Sequence, residues 1–146
     1  MGLKDKEKKR LLGEILIDRG IINYHQLQEA LEVQNKEGGL LGDILVKLGL
    51  AKEEDIAQAI AIEYGLPYLP LDNYEIPKEV VKFTSKDLAM KYCLIPIDKV
   101  GNILSVVMAN PLESNVIEEL KRLTQLDIQL FISTASQIRR MIDSCY

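Results

Sequence analysis

The side chains that could carry catalytic or metal chemistry are few and far apart in this sequence. His25 is the only histidine among the 146 residues, and Cys93 and Cys145 are the only cysteines. A zinc site needs about four nitrogen or sulfur ligands at short, defined spacings, and nothing near His25 supplies them. The sequence therefore predicts no metal site. It also predicts two reduced thiols, because two separated cysteines make no disulfide framework.

Motifs that hold nucleotide phosphates are also missing. A P-loop reads G-x-x-x-x-G-K-[ST], and no glycine of this chain is followed by lysine. The dinucleotide fingerprint G-x-G-x-x-G does not occur either. We therefore expect residues 1–146 to hydrolyse no ATP and to bind no cofactor of their own. An enzyme without a recognisable motif remains an alternative class.

The strongest pattern in the sequence is an internal repeat. Residues 11–34 read LLGEILIDRGIINYHQLQEALEVQ and residues 40–63 read LLGDILVKLGLAKEEDIAQAIAIE, so the two copies align without a gap. Apolar residues recur in both at helical spacing, and a glycine interrupts each copy in the middle. Since one repeat unit rarely buries its own apolar face, we predict two helical hairpins packed on each other.

Single residues mark the predicted ends of these helices. Gly20 and Gly49 supply the left-handed conformation that often ends a helix. Asn23 followed by Gln26 has the spacing of a capping box, in which two side chains bond to the backbone at a helix start. We predict the first helix from Lys4 to Arg19, and the second long helix of the repeat to about Tyr64.

The pattern changes after the repeat. Pro67 and Pro70 exclude a helix and force an extended connector over about residues 65–71. We therefore predict two domains, 1–68 and 69–146. The second reads as two short helices, two strands joined through residues 101–102, a helix opened by residues 110–113, a third strand and a last helix.

The predicted fold class is thus α+β: an N-terminal pair of helical hairpins and a small α/β domain with a three-stranded sheet. Two details of the second domain are also predicted. Thr84 caps its second short helix, with Asp87 three residues later, and Cys93 lies in its first strand. Thr134, followed by Gln137, caps the last helix.

Charge and hydropathy restrict the partners and the location. The net charge is −4 and the isoelectric point is near 5.1, which argues against general binding to nucleic acid. No apolar run reaches the roughly 18 residues that span a bilayer, and no signal peptide precedes the repeat, so we expect a cytoplasmic protein. The exception in charge is the start, where Lys8, Lys9 and Arg10 form either a solvated helix end or a contact for a partner.

The doubled pattern resembles the N-terminal domain of bacterial type II secretion and type IV pilus assembly ATPases. In each copy a Leu-Gly pair, two aliphatic residues, a second glycine and an amphipathic helix follow in order. The helix of the first copy has the form L-x-x-x-L-x-x-Q, and the second copy has Ile56 and Ile60 at the two leucine positions. The later segment YCLIPIDKVGNILSVVMANPLE resembles the same family's following strands and turn. The resemblance extends from about Lys9 to Ile142.

The resemblance implies a docking and regulatory domain of a hexameric motor. Its partners would be the cytoplasmic domain of an inner-membrane platform protein and the motor's own ATPase domain, which would bind ATP and magnesium. The chain would then be cytoplasmic and held at the inner membrane through its partners. Some family members bind cyclic di-GMP with the doubled motif, so a cyclic dinucleotide receptor is the alternative function.

This sequence departs from the binding motif where the ligand's phosphates would be held. The motif has Arg before each Leu-Gly pair and Gln at its end, whereas this chain has Leu11, Leu40 and Glu63 there. Leucine cannot hold phosphate as a guanidinium does. Arg10 lies one residue earlier than the motif's arginine, and its substitution for that arginine is an open alternative. The matching residues that form the candidate cyclic dinucleotide site are Arg10, Leu12, Gly13, Gly20, Leu27, Leu31, Gln34, Leu41, Gly42, Gly49, Ile56 and Ile60.

Overall fold

The computed structural model describes residues 11–111 and 115–146, which form eight helices and a three-stranded sheet. The predicted α+β fold class is confirmed. The chain divides into two compact units, the first ending at Gly65 and the second beginning at Leu66. The domain limits 1–68 and 69–146 stay a prediction. The candidate contact residues Lys8, Lys9 and Arg10 lie outside the described residues.

The first unit contains the two predicted helical hairpins. Its helices are α1 (Leu12–Asp18), α2 (Tyr24–Glu37), α3 (Leu41–Lys47) and α4 (Glu53–Tyr64). The capping box predicted at the start of α2 is present, because the Gln26 amide donates to Asn23 Oδ1 at 2.8 Å and the Asn23 amide donates to Gln26 Oε1 at 2.9 Å. The helix predicted to end at about Tyr64 ends there.

The hairpins interlock rather than stack. Helix α1 of the first copy packs against α4 of the second, and α2 of the first packs against α3 of the second. The most buried side chains are repeat mates: Leu16 and Leu45 are fully buried, as are Ala30 and Ala59. Each copy therefore covers the apolar face of the other, which explains why the pattern occurs twice.

The second unit is a sheet with helices on both faces. Its elements are α5 (Lys78–Val81), α6 (Lys86–Tyr92), β1 (Leu94–Val100), β2 (Ile103–Met108), α7 (Asn115–Thr124), β3 (Asp127–Ile132) and α8 (Ala135–Cys145). The strand order is β1-β2-β3, with an antiparallel β1–β2 hairpin and parallel β2–β3 pairing. The parallel pair requires a crossover, and α7 lies in it.

Alternating side chains of the strands build two cores. On one face Leu104, Val106 and Met108 of β2 pack with Val116 and Leu120 of α7. The other core combines Val107 of β2, the β1 residues Ile95 and Ile97, and the α8 residues Ile138 and Ile142. The outer edge of β3 is partly covered by the connector, since Leu69 N–H donates to the carbonyl of Ile132 at 2.8 Å.

Two local predictions in this unit are wrong. The cap of α6 is Ser85, whose hydroxyl accepts from the Leu88 amide at 3.1 Å, whereas Thr84 is buried. Cys93 lies before β1, at the end of α6, with a φ of 51°. Thr134 caps α8 as predicted, accepting from the Gln137 amide. Helix α7 is described from Asn115 onwards, so the predicted start with Glu113 falls in a segment outside the described residues.

Candidate functional site

The described residues of the candidate cyclic dinucleotide site all lie in the first unit, where most of them have a structural role. Gly13 of α1 faces Leu27 of α2, and Gly42 of α3 faces Ile56 of α4. A β-carbon on Gly13 would lie 2.7 Å from Leu27 Cδ1, and one on Gly42 would lie 2.6 Å from Ile56 Cγ2. Both glycines therefore allow the two helices of a hairpin to approach closely.

The other two glycines of the motif form matching turns. Gly20 has a φ of 75° and Gly49 a φ of 76°. In the first copy Gly20 N–H donates to Ile17 O at 3.0 Å, and in the second Gly49 N–H donates to Val46 O at 3.0 Å. The left-handed conformation that favours glycine is thus required at both positions.

The aliphatic residues of the candidate site differ in exposure between the copies. Ile56 and Ile60 are buried, whereas their repeat mates Leu27 and Leu31 are partly exposed. Leu12 and Leu41, which follow the cap positions, are partly exposed as well. The structure therefore brings Leu12, Gly42 and Ile56 into one cluster across the two copies, with Leu12 Cδ2 within 3.8 Å of where a Gly42 β-carbon would lie.

The two ends of the motif carry different chemistry. The side-chain amide of Gln34 donates to the carbonyl of Gly39 at 3.0 Å and so holds the loop between the copies. In the second copy the equivalent residue is the carboxylate Glu63, near the end of α4. Burial raises the pKa of the neighbouring Tyr64, and the charge of Glu63 raises it further. A negative charge at this end disfavours an anionic ligand.

Leu11 and Leu40 are the most informative positions in the candidate site. Each precedes the first helix of its copy, as the N-cap, and neither side chain makes a capping hydrogen bond. Leu11 is 62% exposed and Leu40 is 44% exposed. An N-cap normally favours Ser, Thr, Asp or Asn. These two leucines therefore neither cap their helices nor fill the core. Leu48 and Ile62 of the second copy are exposed as well, at 39% and 45%, but Leu11 and Leu40 are the aliphatic pair that is exposed at matching positions of both copies.

One contact in this unit was not predicted from the sequence. Arg19 at the end of α1 donates through Nη2 to the side-chain carbonyl of Gln58 in α4, at 2.9 Å. It joins the two copies, but the repeat gives no signal for it. The residue that aligns with Arg19 is Leu48, and the one that aligns with Gln58 is Glu29.

Two absences hold for residues 11–111 and 115–146. They contain no group of three or more His, Cys, Asp and Glu side chains that could hold a metal ion. None of their helices is both long enough and apolar enough to cross a membrane.

Two solved structures define the class of protein. The structure of MshE with cdg superposes on this chain with a TM-score of 0.83 at 25% identity, covering 94% of this chain and all of that one. The N-terminal domain of XpsE gives a TM-score of 0.75 at 25% identity, covering 92% and 93% of the two chains. The fold is therefore that of the MshE and XpsE N-terminal domains.

The sequence relatives agree with this class. The type IV pilus assembly ATPase PilB of Myxococcus xanthus is 30% identical over 135 residues, which are 92% of this chain and 24% of that protein. This chain thus spans about a quarter of that relative's length. The MshEN domain profile matches residues 64–146, and the chain belongs to the MshEN domain family. The resemblance to the N-terminal domains of secretion and pilus ATPases is confirmed.

Proposed function

We propose that the chain is a non-catalytic docking and regulatory domain of a bacterial type II secretion or type IV pilus assembly ATPase. Its partner is the cytoplasmic domain of an inner-membrane platform protein, which holds it at the membrane from the cytoplasm. ATP and magnesium belong to the ATPase domain of the parent protein. The observation that carries the proposal is the exposure of Leu11 and Leu40 at matching positions of the two copies.

Leu11 and Leu40 gain most from contact with a protein partner. Burying a fully exposed leucine side chain contributes about 1.5 to 3 kcal/mol, and Leu11 and Leu40, at 62% and 44% exposure, each offer roughly half of this. The flanking Leu12 and Leu41 are partly exposed and extend the apolar surface. Neither leucine can hold a phosphate, so an apolar protein surface matches these positions better than an anion does.

Substitution of both leucines by aspartate tests the docking proposal. Because aspartate is a favoured N-cap, Leu11→Asp and Leu40→Asp remove the apolar side chains while supporting helices α1 and α3. We expect the double variant to bind the platform protein's cytoplasmic domain roughly tenfold or more weakly by calorimetry. Val100→Asp is the control, since Val100 is 69% exposed in the second unit. Unchanged affinity of the double variant would refute the proposal.

The basic segment before the repeat gives the same proposal a second component. Lys8, Lys9 and Arg10 would meet an acidic patch on the platform protein, with an attraction that weakens as salt screens it. Replacing all three by glutamate should reduce affinity at low salt and have less effect at high salt. An effect that is equal at all salt concentrations would exclude this electrostatic role.

A cyclic di-GMP receptor is the second candidate function, because the frame of the repeat is retained. Gly13, Gly20, Gly42 and Gly49 hold the two copies in the same backbone geometry. The similarity to MshE, solved with cdg, supports the same frame. The binding motif has arginine at the positions of Leu11 and Leu40 and glutamine at the position of Glu63, and this chain lacks all three side chains. Losing two charge-assisted contacts, each worth about 1.5 to 3 kcal/mol, weakens binding roughly a hundredfold or more.

The triple variant Leu11→Arg, Leu40→Arg, Glu63→Gln tests the second candidate. Both leucines are exposed, so arginine side chains fit there without disturbing the core. We expect the wild type to bind cyclic di-GMP weakly or not at all in a calorimetric titration, and the triple variant to bind it. Sub-micromolar binding by the wild type would make receptor function the better description. A folded triple variant that ignores the ligand would exclude it.

A further inference from the structure

A surface cavity of about 430 Å³ lies in the second unit, where the turn between α5 and α6 meets the end of α8. This volume falls within the range of about 300 to 1,000 Å³ that is common for small-molecule sites. The cavity plays no part in the docking proposal, which rests on the first unit. Its lining residues are Lys78, Val81, Lys82, Thr84, Ser85, Lys86, Cys145 and Tyr146.

Positive charge is the main feature of the lining. Lys78, Lys82 and Lys86 follow one another at intervals of four residues, and the turn between the two short helices brings all three to the same cavity. The described lining contains no aspartate or glutamate side chain, and its one anionic group in the 146-residue chain is the α-carboxylate of Tyr146. Three cations around one concave site are notable in a chain whose net charge is −4. The three lysines outweigh this carboxylate, so the cavity attracts anions, because a concave surface of mainly one sign of charge focuses the potential.

The floor of the cavity is held in place by hydrogen bonds. The Tyr146 hydroxyl lies 2.6 Å from Thr84 Oγ1 and donates to the Val81 carbonyl at 3.1 Å. Thr84 is buried, and burial raises the pKa of the Tyr146 hydroxyl, while the hydrogen bond with Thr84 partly offsets this rise. Tyr146 therefore stays protonated near neutral pH and keeps its hydrogen bond to the Val81 carbonyl, which fixes the floor of the cavity.

Ser85 adds a donor at the edge of the site. Its hydroxyl oxygen accepts from the Leu88 amide at 3.1 Å as the cap of α6. A serine hydroxyl can accept and donate at once, so its hydrogen can still donate to a ligand oxygen. One hydroxyl donor and three ammonium groups match a ligand with several anionic oxygens.

We propose that this cavity binds the phosphate group of a small phosphorylated ligand. A phosphate monoester or diphosphate carries more charge and more acceptor oxygens than a carboxylate, so it gains more from three lysines. Lysine binds phosphate as a point charge without a fixed fork geometry, which suits three flexible side chains around one group. Val81 and the Tyr146 ring offer an apolar surface for the part of the ligand beyond the phosphate.

Titration of the 146-residue chain with inorganic pyrophosphate at low salt, followed by amide NMR shifts, tests the proposal. We expect saturable shifts that are largest around Lys82, Ser85 and Lys86, and weaker binding of succinate, a dicarboxylate probe. Wild-type protein that shows no saturable shifts in this segment would overturn the proposal. Succinate binding as tightly as pyrophosphate would overturn the assignment to phosphate.

Two triple variants distinguish binding at this cavity from a general attraction of the ligand to positive charge on the protein. Lys78→Gln, Lys82→Gln, Lys86→Gln should weaken pyrophosphate binding roughly tenfold or more. A control with the same loss of charge, at the exposed Lys36, Lys47 and Lys99, should change it less than about twofold. Equal weakening by both triple variants would overturn the proposal.

Ser85→Asp is the second test, and it is independent of the lysines. Aspartate keeps the capping acceptor for α6 but adds a negative charge to the cavity, so the fold should persist while pyrophosphate binding is lost. If this variant still bound pyrophosphate, the assignment of the cavity as the phosphate site would be wrong.

Discussion

The two copies of the repeat share the same backbone geometry but present different side chains at the surface. In both, a glycine lets the helices of the hairpin approach and a second glycine ends the first helix with a φ near 75°. Even the bond that follows each turn is repeated, from Ile21 N–H to Leu16 O at 3.0 Å and from Leu50 N–H to Leu45 O at 2.9 Å.

The surfaces of the copies have diverged. Arg19 bonds to Gln58, whereas the aligned residues are the apolar Leu48 and the acidic Glu29. The polar contact between the copies thus has no counterpart on the other side. Close packing and a positive φ thus allow few residue types at a position, whereas an exposed position allows many. The copies should therefore respond alike at the turn glycines and differently wherever the neighbouring side chain differs.

The largest expected difference between the copies is at their packing glycines. The atom that a Gly13 β-carbon would meet is a terminal methyl of Leu27, which can rotate away, but Gly42 faces Cγ2 of Ile56, next to a branch point. Overpacking costs about 1 to 3 kcal/mol. We expect Gly42→Ala to lower the free energy of unfolding by about that amount in urea denaturation, and Gly13→Ala to lower it by less than about 1 kcal/mol.

A double variant gives this prediction its control. Ile56→Leu moves the branch of the side chain away from the backbone. The second copy then has a leucine opposite its packing glycine, as the first copy has with Gly13 and Leu27. Gly42→Ala with Ile56→Leu should therefore recover most of the loss caused by Gly42→Ala alone. Equal costs for the two single glycine variants would show that the hairpins relax equally and would contradict the asymmetry.

The next largest expected effect is the loss of stability on substitution of the turn glycines, and it should be the same in both copies. Gly20 and Gly49 are exposed, and a β-carbon on either would meet nothing within 4 Å. Alanine there would be strained only by its left-handed backbone, at about 1 to 2 kcal/mol. We expect Gly20→Ala and Gly49→Ala to lower the free energy of unfolding by equal amounts, measured by urea denaturation.

Asparagine tests the cause of that loss. It tolerates the left-handed region better than alanine, so Gly20→Asn and Gly49→Asn should cost clearly less. If asparagine and alanine were equally costly, strain from the positive φ would not be the reason.

The frame of the first unit could be predicted from sequence because glycines, caps and helical periodicity are local signals. The interlocked packing could not, since periodicity shows which face of a helix is buried but not which helix covers it. The apolar stripe of α1 is compatible with α2 or α4 as its main neighbour. It packs more extensively against α4, although Gly13 also approaches Leu27 of α2 closely. The exposure of Leu11 and Leu40 could not be predicted either, because periodicity does not show that no helix covers them.

The errors in the second unit have a similar origin. Thr84 and Ser85 are adjacent hydroxyl residues, and either has a suitable spacing for a cap of α6. Ser85 is the cap because Thr84 bonds to Tyr146, which is distant in sequence. No glycine marks the end of α6, so the run YCLIPIDKV predicted a strand that starts at Tyr92, two residues too early. The cavity lined by Lys78, Lys82 and Lys86 depends on the same meeting of distant segments, because the end of α8 closes it, and the sequence analysis did not predict it.

The smallest expected effect concerns the caps of the second helices, where the copies also differ. In the first copy Asn23 and Gln26 bond to each other's backbone. In the second, Asp55 Oδ2 accepts from the Lys52 amide at 3.1 Å, but the Lys52 side chain has no acceptor to return the bond. Half of the capping box is therefore missing at the start of α4.

Lys52→Asn would complete this box and make the copies equivalent. We expect it to raise the free energy of unfolding by about 0.5 to 1 kcal/mol, and Asn23→Lys to lower it by a similar amount, because a good N-cap contributes about that much. Urea denaturation of both variants measures the pair of changes. Lys52→Ala separates the cap from the charge, since it removes a cation from the positive end of the helix dipole without adding an acceptor. If alanine stabilised α4 as much as asparagine, the dipole would account for the gain, and the capping difference between the copies would have no energetic consequence.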